Sequence, residues 1–246
     1  MLNKKIINTL VLHRVVKGKA EQFIDIELST LVHMLAQSKG SFVSLEQAFL
    51  EEKVNGKKVC LTFDDGFSSD YDIVLPELKK AGAKATFFIV TDLIGKPGYM
   101  TKEQIKSLSE AGMQIGSHSV SHPNFLEINP EEREKEFIES KLILERIIDK
   151  EITCFSFPFG FYNSESIETA FSAGYSICCT SDHGLSSHNQ TVVCRNSINA
   201  NTSIERVGNV LEANLLQRTL WFFEDKTKSL MKKFMPDIYG YMRNLL

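Results

Sequence analysis

Short apolar runs alternate along the chain with longer segments whose apolar residues recur at helical spacing. The length of these runs and their β-branched and aromatic content are typical of buried strands. Seven runs predict strands: Ile6–Leu12, Val59–Phe63, Ala85–Val90, Met113–Ser117, Cys154–Phe157, Ser176–Thr180 and Val192–Ile198. The segments between them predict helices over Ile26–Ser38, Tyr71–Lys80, Thr101–Ala111, Pro130–Ile148, Ser164–Ala173 and Ser203–Leu216. Alternating strands and helices predict an α/β protein with a parallel sheet, either a closed barrel or a doubly wound open sheet.

The segment Gln217–Leu246 breaks this alternation because aromatic residues such as Trp221 and Phe223 lie there among lysines. We therefore divide the chain into a barrel over residues 1–216 and a C-terminal amphipathic helical tail over residues 217–246. The pattern favours a terminal helix docked on the barrel or on a second subunit of a homo-oligomer. It leaves open that a basic, aromatic face lies on a membrane surface.

Composition narrows the class of protein. Of the 246 residues, 43% are apolar and 24% charged, and a net charge of −3 without a basic stripe argues against nucleic-acid binding. The five cysteines lie in apolar runs without a Cys-x-x-Cys pair, so we expect small buried side chains in a reducing compartment. The apolar run after Lys4-Lys5 contains Asn8 and Thr9 and stops at His13-Arg14, which does not match a signal peptide. The expected location is the cytoplasm.

Polar residues gather where the predicted strands end. Asp64-Asp65-Gly66 follows the second strand, His118 and His122 follow the fourth, Pro158-Phe159-Gly160 follows the fifth, and His13-Arg14 follows the first. In an α/β barrel the carboxyl ends of the strands meet on one rim, where the chemistry takes place. The pattern predicts that these residues converge.

These residue types favour a metal site. Adjacent carboxylates raise each other's pKa, and a cation relieves this repulsion. His118 and His122 can face one ligand if the turn Ser119–Ser121 is helical. One carboxylate and two imidazoles leave coordination positions open, as in a catalytic site, and suit zinc, cobalt, nickel or iron. Taken singly, the aspartates are typical of a turn and the histidines of a surface pair on a helix.

Three of these segments resemble the signature motifs of the polysaccharide deacetylases, carbohydrate esterase family 4. Thr62–Gly66 and His118–Pro123 resemble the first two motifs, and Phe157–Gly160 resembles the third. Ala85–Val90 and Gln114–Ser117 are similar to the strands that accompany them, so the resemblance runs from about Leu10 to about Ile198. It implies a distorted (β/α) barrel, here of about seven parallel strands.

The resemblance implies a metal-dependent hydrolase that removes an N-acetyl group from a hexosamine-containing glycan or glycan precursor. The implied ligands of the divalent metal, expected to be zinc with cobalt, nickel or iron as alternatives, are Asp65, His118 and His122. Asp64 is the implied general base toward a metal-activated water. The Phe159 backbone N–H is expected to help hold the oxyanion, and Pro158 and Gly160 are expected to contact the substrate.

The sequence departs from the family pattern in two places. Ser156 stands where the third motif usually begins with an arginine that orients the base. Arg195, in the last predicted strand, either orients Asp64 instead or forms a strand-end ion pair. A late Leu-x-His motif that supplies the acid is absent; His13 resembles the early histidine of one branch of the family and is the expected acid, with His183 as the alternative.

The sequence is also compatible with two other functions. One is a metal-dependent amidohydrolase acting on a non-sugar amide or cyclic imide. The other is a catalytically inactive barrel that binds a glycan or a protein partner.

Overall fold

The computed structural model describes residues 6–37, 41–51 and 58–234. The strands in these ranges are β1 (Ile6–Leu12), β2 (Arg14–Val16), β3 (Asp25–Glu27), β4 (Phe42–Val43), β5 (Lys58–Phe63), β6 (Thr86–Ile89), β7 (Gln114–Ser117), β8 (Cys154–Ser156), β9 (Ile177–Cys179), β10 (Ser186–Ser187), β11 (Val192–Val193) and β12 (Asn196–Ser197). The α-helices are α1 (Leu28–Gln37), α2 (Leu45–Phe49), α3 (Leu75–Ala81), α4 (Lys102–Glu110), α5 (Pro130–Ile148), α6 (Ser164–Ser172), α7 (Ile204–Glu212) and α8 (Leu215–Phe234). A π-helical turn over Asp70–Val74 leads into α3.

A mostly parallel sheet, in which β10 alone among the described strands pairs antiparallel, with β1, curves into a nearly closed barrel. Its strands run in the order β1-β5-β6-β7-β8-β9, with β11 pairing parallel to β9 and β12 pairing parallel to β1. Helices cover the outside, and their apolar faces share the main hydrophobic core with the sheet. The predicted α/β fold, a distorted (β/α) barrel with about seven strand positions, is confirmed.

The last predicted strand is wrong in one respect, because Val192–Ile198 is not one continuous strand. It divides into β11 and β12, which lie on opposite sides of the gap in the barrel. In the break the backbone N–H of Cys194 donates to the Ser186 hydroxyl, and that of Arg195 donates to the Asp182 carbonyl. These bonds to the preceding loop replace pairing with the sheet, so Arg195 lies between the two short strands.

Two of the predicted helices have bounds that strand pairing or backbone conformation changes. The helix predicted to begin at Ile26 begins at Leu28, because Ile26 pairs with Val15 in the small β2–β3 sheet. The helix predicted over Ser203–Leu216 ends at Glu212, where Ala213 adopts a left-handed φ of 50°. α8 begins two residues later and buries Trp221, which is 4% exposed, against the main core.

Helix α2 closes the end of the barrel where the strands begin. The backbone N–H of Leu45 donates to the Thr86 hydroxyl, and that of Glu46 to the Gln114 side-chain carbonyl, at the starts of β6 and β7. Apolar side chains and buried thiols fill the barrel above it. Described side chains thus fill this end of the barrel, whereas the polar residues lie at the carboxyl ends of the strands.

The expectation of buried cysteines is confirmed for four residues. Cys60, Cys154, Cys178 and Cys179 are buried, whereas Cys194 is half-buried, and all five thiols are free. The compartment expected from them stays a prediction. No helix in the described part of the chain is long and apolar enough to cross a bilayer. Residues 235–246 of the predicted tail lie outside the described residues, and its boundary at residue 217 stays a prediction.

Candidate metal centre

Asp65, His118 and His122 converge at the carboxyl end of the barrel. The Asp65 Oδ1 atom lies 3.5 Å from Nε2 of His118 and 3.5 Å from Nε2 of His122, and the two Nε2 atoms lie 3.2 Å apart. Two ligands at about 2.0–2.1 Å from a tetrahedral zinc ion are about 3.3–3.4 Å apart. The three donor atoms therefore have the spacing that one tetrahedral cation requires.

The strand ends and the loops after them set this geometry. Asp64 follows β5, and its N–H donates to the Leu12 carbonyl at the end of β1. Asp65 then takes a φ of 77°, which turns the chain sharply after the strand. A positive φ at a non-glycine residue costs energy and persists where surrounding contacts impose it, often at functional sites.

The loop between the two histidines is not helical, so the expected way of bringing them together is wrong. Ser119 and His122 have φ values of 72° and 61°, and the chain folds into a tight loop. The Glu136 carboxylate on α5 holds this loop by accepting from the N–H groups of Val120 and Ser121 and from the Ser121 hydroxyl, at 2.7–3.0 Å. Glu136 was missed because its separation in sequence gives no sign of this contact.

The surroundings of His118 favour one neutral form of its imidazole. Its Nδ1 lies 2.7 Å from the Ser156 carbonyl, which can only accept, so Nδ1 carries the proton and Nε2 faces the other donors. Burial lowers the pKa of His118 and outweighs the opposing effect of Asp64 and Asp65. A neutral imidazole with its second nitrogen bonded to a carbonyl is the usual form of a metal-binding histidine.

Asp64 lies beside this group in a buried ion pair. The Arg195 Nη1 and Nη2 atoms donate to its two oxygens at 2.7 and 2.8 Å, and Nη2 also donates to the Ser156 hydroxyl. Both residues are almost fully buried, at 3% and 1% exposure. Burial acts to raise the pKa of Asp64, but Arg195, His118 and His13 together hold it well below its usual range. Of the two alternatives for Arg195, the structure thus shows the ion pair with Asp64.

The other predicted site residues lie at the end of β1 and in the turn that follows β8. His13 directly follows β1 and is near enough to lower the pKa of Asp64. Phe159 packs the edge of its ring against His122, with centroids 4.4 Å apart, in a turn where its φ is 59°. Gly160 lies against Ser181, where a Cβ would approach the serine side chain to 2.5 Å, and Pro158 is buried in the same turn.

The alternative acid, His183, lies against α8. Its Nδ1 is 2.8 Å from the Asp225 carboxylate, and its ring stacks on Trp221 with centroids 6.2 Å apart. The remaining histidines have other surroundings: His33 contacts Gln37 on the exposed side of α1, and His188 contacts the Ala48 carbonyl on α2. Among the candidate acids, the geometry therefore favours His13.

Two groups near the centre were not expected. Asp70 is fully buried, and neither of its carboxylate oxygens has a hydrogen-bond partner among the described residues. Burial and repulsion by Asp65 and Asp64 raise the pKa of Asp70 well above its usual range. On the rim, Phe67 and Tyr99 stack with centroids 5.0 Å apart, and burial and the Asp65 carboxylate raise the pKa of Tyr99.

Comparisons with known proteins establish the family of the chain. The model of the polysaccharide deacetylase family matches residues 51–178, just over half of the chain. The chain belongs to the polysaccharide deacetylase family. Over 140 residues it is 34% identical to YxkH of Bacillus subtilis (strain 168), a match that covers 57% of this chain and 50% of that one. Over 130 residues it is 32% identical to a peptidoglycan-N-acetylglucosamine deacetylase of Bacillus cereus, covering 52% of this chain and 59% of that one. The chain thus spans between half and three-fifths of the length of these relatives.

Solved structures share the fold of this family member. The Streptococcus pyogenes deacetylase PplD in complex with acetate superposes with a TM-score of 0.77 at 24% identity, covering 85% of this chain and 99% of that one. IcaB from Ammonifex degensii superposes with a TM-score of 0.74 at 22% identity, covering 85% and 97%. At these identities the similarity establishes the barrel, while the roles of individual residues stay predictions.

Proposed function

We propose that this chain is a divalent-metal-dependent hydrolase that removes the N-acetyl group from a hexosamine in a glycan or glycan precursor. The observation that carries the proposal is the set of donor atoms from Asp65, His118 and His122 at 3.2–3.5 Å from one another. The buried Asp64–Arg195 pair adjoins it. Membership of the deacetylase family and the name of the Bacillus cereus relative support the acetylated sugar as substrate.

The three donor side chains would hold the cation, and two imidazoles with one carboxylate favour zinc among the candidates. When bound, the cation supplies Lewis acidity that polarises the acetyl carbonyl and lowers the pKa of water. Because His118 is already neutral and one nitrogen is committed to a carbonyl, it needs no proton loss or rotation to bind the cation.

Asp64 would accept the proton of the attacking water. Arg195 keeps the carboxylate ionised and fixes its plane through two parallel hydrogen bonds, so the base is oriented before the substrate arrives. The Phe159 N–H, in its strained turn, would donate to the developing oxyanion. His13, at the end of β1, would then protonate the departing amine.

The rim offers aromatic surfaces of the kind that sugars contact. Phe67 and Tyr99 stack beside Asp65, and the Phe159 ring packs against His122. We infer that the acetylated ring lies between these surfaces. The cytoplasmic location expected from the sequence remains a prediction.

Acetate release from N-acetylglucosamine oligomers, measured beside metal content, tests the proposal. The purified protein should contain about one zinc per chain and release acetate only when loaded. His122→Ala should lose both metal and activity, whereas His33→Ala, which removes a histidine from the exposed side of α1, should keep both. Activity confined to cyclic imides, or acetate release unchanged by a chelator, would refute the proposal.

Two further variants separate the roles of the base and the acid. Asp64→Asn should retain the metal and lose turnover, while Asp72→Asn, at an exposed aspartate, should change neither. His13→Ala should also retain the metal and lower kcat by about 10²–10⁴-fold, the usual size of an acid–base contribution. Full activity in His13→Ala would assign the acid to another group.

A further inference from the structure

Helix α8 has one face that is fixed to the barrel. Trp221 and Gln217 are buried at 4% and 1% exposure. The Asp225 carboxylate accepts from the backbone N–H of His183 at 2.9 Å and lies 2.8 Å from its imidazole Nδ1. Glu224 pairs with Arg206 on α7. These contacts fix the rotation of the helix about its own axis.

The opposite face of α8 is apolar and exposed. Leu216, Leu220, Phe223 and Leu230 recur at helical spacing, and their exposed fractions are 66%, 42%, 60% and 57%. Leu215 and Phe222 widen this stripe. Scattered apolar residues are ordinary on a protein surface, but several exposed apolar residues on one side of a single helix are typical of an interaction site.

Charge distinguishes the kind of partner. Residues 215–234 contain five lysines and arginines and two acidic residues. Both acids, Glu224 and Asp225, are on the side that faces the barrel and are engaged there. Among the residues of this helix whose side chains are described, the basic ones, Arg218 and Lys226, are exposed, and neither acid belongs to the outward apolar stripe. This composition is typical of a helix that lies on an anionic lipid surface.

A groove beside the stripe carries basic side chains that can contact anionic groups. It has a volume of about 470 Å³ and lies between α8 and the 183–185 loop. Arg218 and Lys226 line it on the helix side, with Phe222 between them, and the Lys226 ammonium lies 4.8 Å from the centre of the Phe222 ring. Asp225 also lines the groove but is paired with His183.

The helix adjoins the catalytic rim. The loop that carries His183 leaves β9 at its carboxyl end, where the Thr180 carbonyl accepts from Nε of Arg195 at 3.0 Å and Ser181 lies against Gly160. A surface bound by α8 would thus lie next to the candidate metal centre.

We propose that the outward face of α8 binds the surface of a membrane rich in anionic lipids. The apolar stripe would lie among the acyl chains near the headgroups, and Arg218 and Lys226 would meet lipid phosphates at the groove. This orientation brings the catalytic rim close to glycans attached to, or assembled at, that membrane.

Co-sedimentation of the full chain with vesicles tests this inference. Wild type should bind equimolar phosphatidylglycerol–phosphatidylcholine vesicles more tightly than pure phosphatidylcholine vesicles, and added salt should weaken the difference. The double variant Leu216→Asp/Phe223→Asp should bind the anionic vesicles at least about tenfold more weakly, because it places two charges in the stripe.

The double variant Leu126→Asp/Leu142→Asp is the matched control. It adds the same charge at two apolar residues that are 49% and 44% exposed elsewhere on the surface. It should bind like wild type, and thermal melting should show that both double variants are folded.

Three results would overturn the inference. Wild type that does not sediment with the anionic vesicles would do so, as would an equal loss of binding in both double variants. The third is a wild-type dimer that Leu216→Asp/Phe223→Asp converts to a monomer without any change in vesicle binding, which would make the stripe an interface between two copies of the chain.

Discussion

The substitution Arg195→Met removes a guanidinium that donates five hydrogen bonds inside the barrel. Two of them reach Asp64, and the others reach Thr62, Ser156 and the Thr180 carbonyl. Methionine fills similar space without charge. Asp64, only 3% exposed, would then lose the cation that compensates its burial.

Arg195→Met should lower the free energy of unfolding substantially. Removing one partner of a buried ion pair costs about 3–5 kcal/mol, a sizeable share of the roughly 5–15 kcal/mol that stabilises a typical domain. Because the pKa of Asp64 is depressed in the folded state, its stabilising contribution is present above the pKa of an unfolded aspartate, about 3.9. It is lost only as pH falls through the folded value, so measurements near neutral pH report it in full.

Urea unfolding of the chelator-treated protein at pH 7 measures this loss. The double variant Asp64→Asn/Arg195→Met removes both charges together, so it should be less destabilised than the sum of the two single variants by about 0.5–3 kcal/mol. Arg218→Met, at an exposed arginine, should change the free energy of unfolding by less than about 0.5 kcal/mol.

Two outcomes would refute this reasoning. One is a decrease of less than about 1 kcal/mol in the free energy of unfolding of Arg195→Met, because breaking a buried ion pair of this geometry should destabilise the protein by more than that. The other is strict additivity in the cycle, which would mean that the charges do not stabilise each other in solution.

Three further predictions concern the metal, a turn and a buried acid. Zinc at about 100 times its Kd should raise the free energy of unfolding by about 2.7 kcal/mol, measured by urea titration, and His122→Ala should abolish the increase. Gly160→Ala should lower the free energy of unfolding by about 1–3 kcal/mol, because the φ of Gly160 is +64° and a Cβ would meet Ser181 at 2.5 Å. Gly18 has open space around it, so Gly18→Ala should leave the free energy of unfolding nearly unchanged. Equal melting temperatures of the two variants would contradict this prediction. Asp70→Asn should stabilise the metal-free protein at pH 7. Because the pKa of Asp70 is raised in the folded state, the destabilisation by its carboxylate grows as pH rises above the pKa of an unfolded aspartate. A gain in the free energy of unfolding that does not shrink toward pH 4 would show that ionisation of Asp70 is not the cause.

Much of the barrel could be predicted because its strands carry local signals. β1 has the predicted bounds, and the strands from β5 to β9 differ from the predicted bounds by one residue at one or both ends. Buried parallel strands need continuous apolar runs, and such runs are visible in a single sequence. The break between β11 and β12 could not be predicted, because its cause is a set of bonds to the loop at 182–186.

The candidate site shows the same division. The residues after β5 and β7 could be selected because the carboxyl ends of parallel strands meet on one rim. Their mutual spacing could not, since it depends on left-handed φ values at Asp65, Ser119 and His122 and on the Glu136 carboxylate from α5. The sequence offered two histidines, His13 and His183, as the general acid. The structure favours His13, because His183 packs against Trp221 and Asp225 of α8.

The sequence by itself determined the alternation of elements, the rim on which polar residues gather and the family motifs, because each is set by neighbours along the chain. Only the tertiary structure decided that Arg195 reaches Asp64 from the far side of the barrel gap, and that α8 turns its acids inward and its apolar stripe outward. Both depend on contacts between segments distant in sequence, where burial requires each charge to find a partner that local spacing does not reveal.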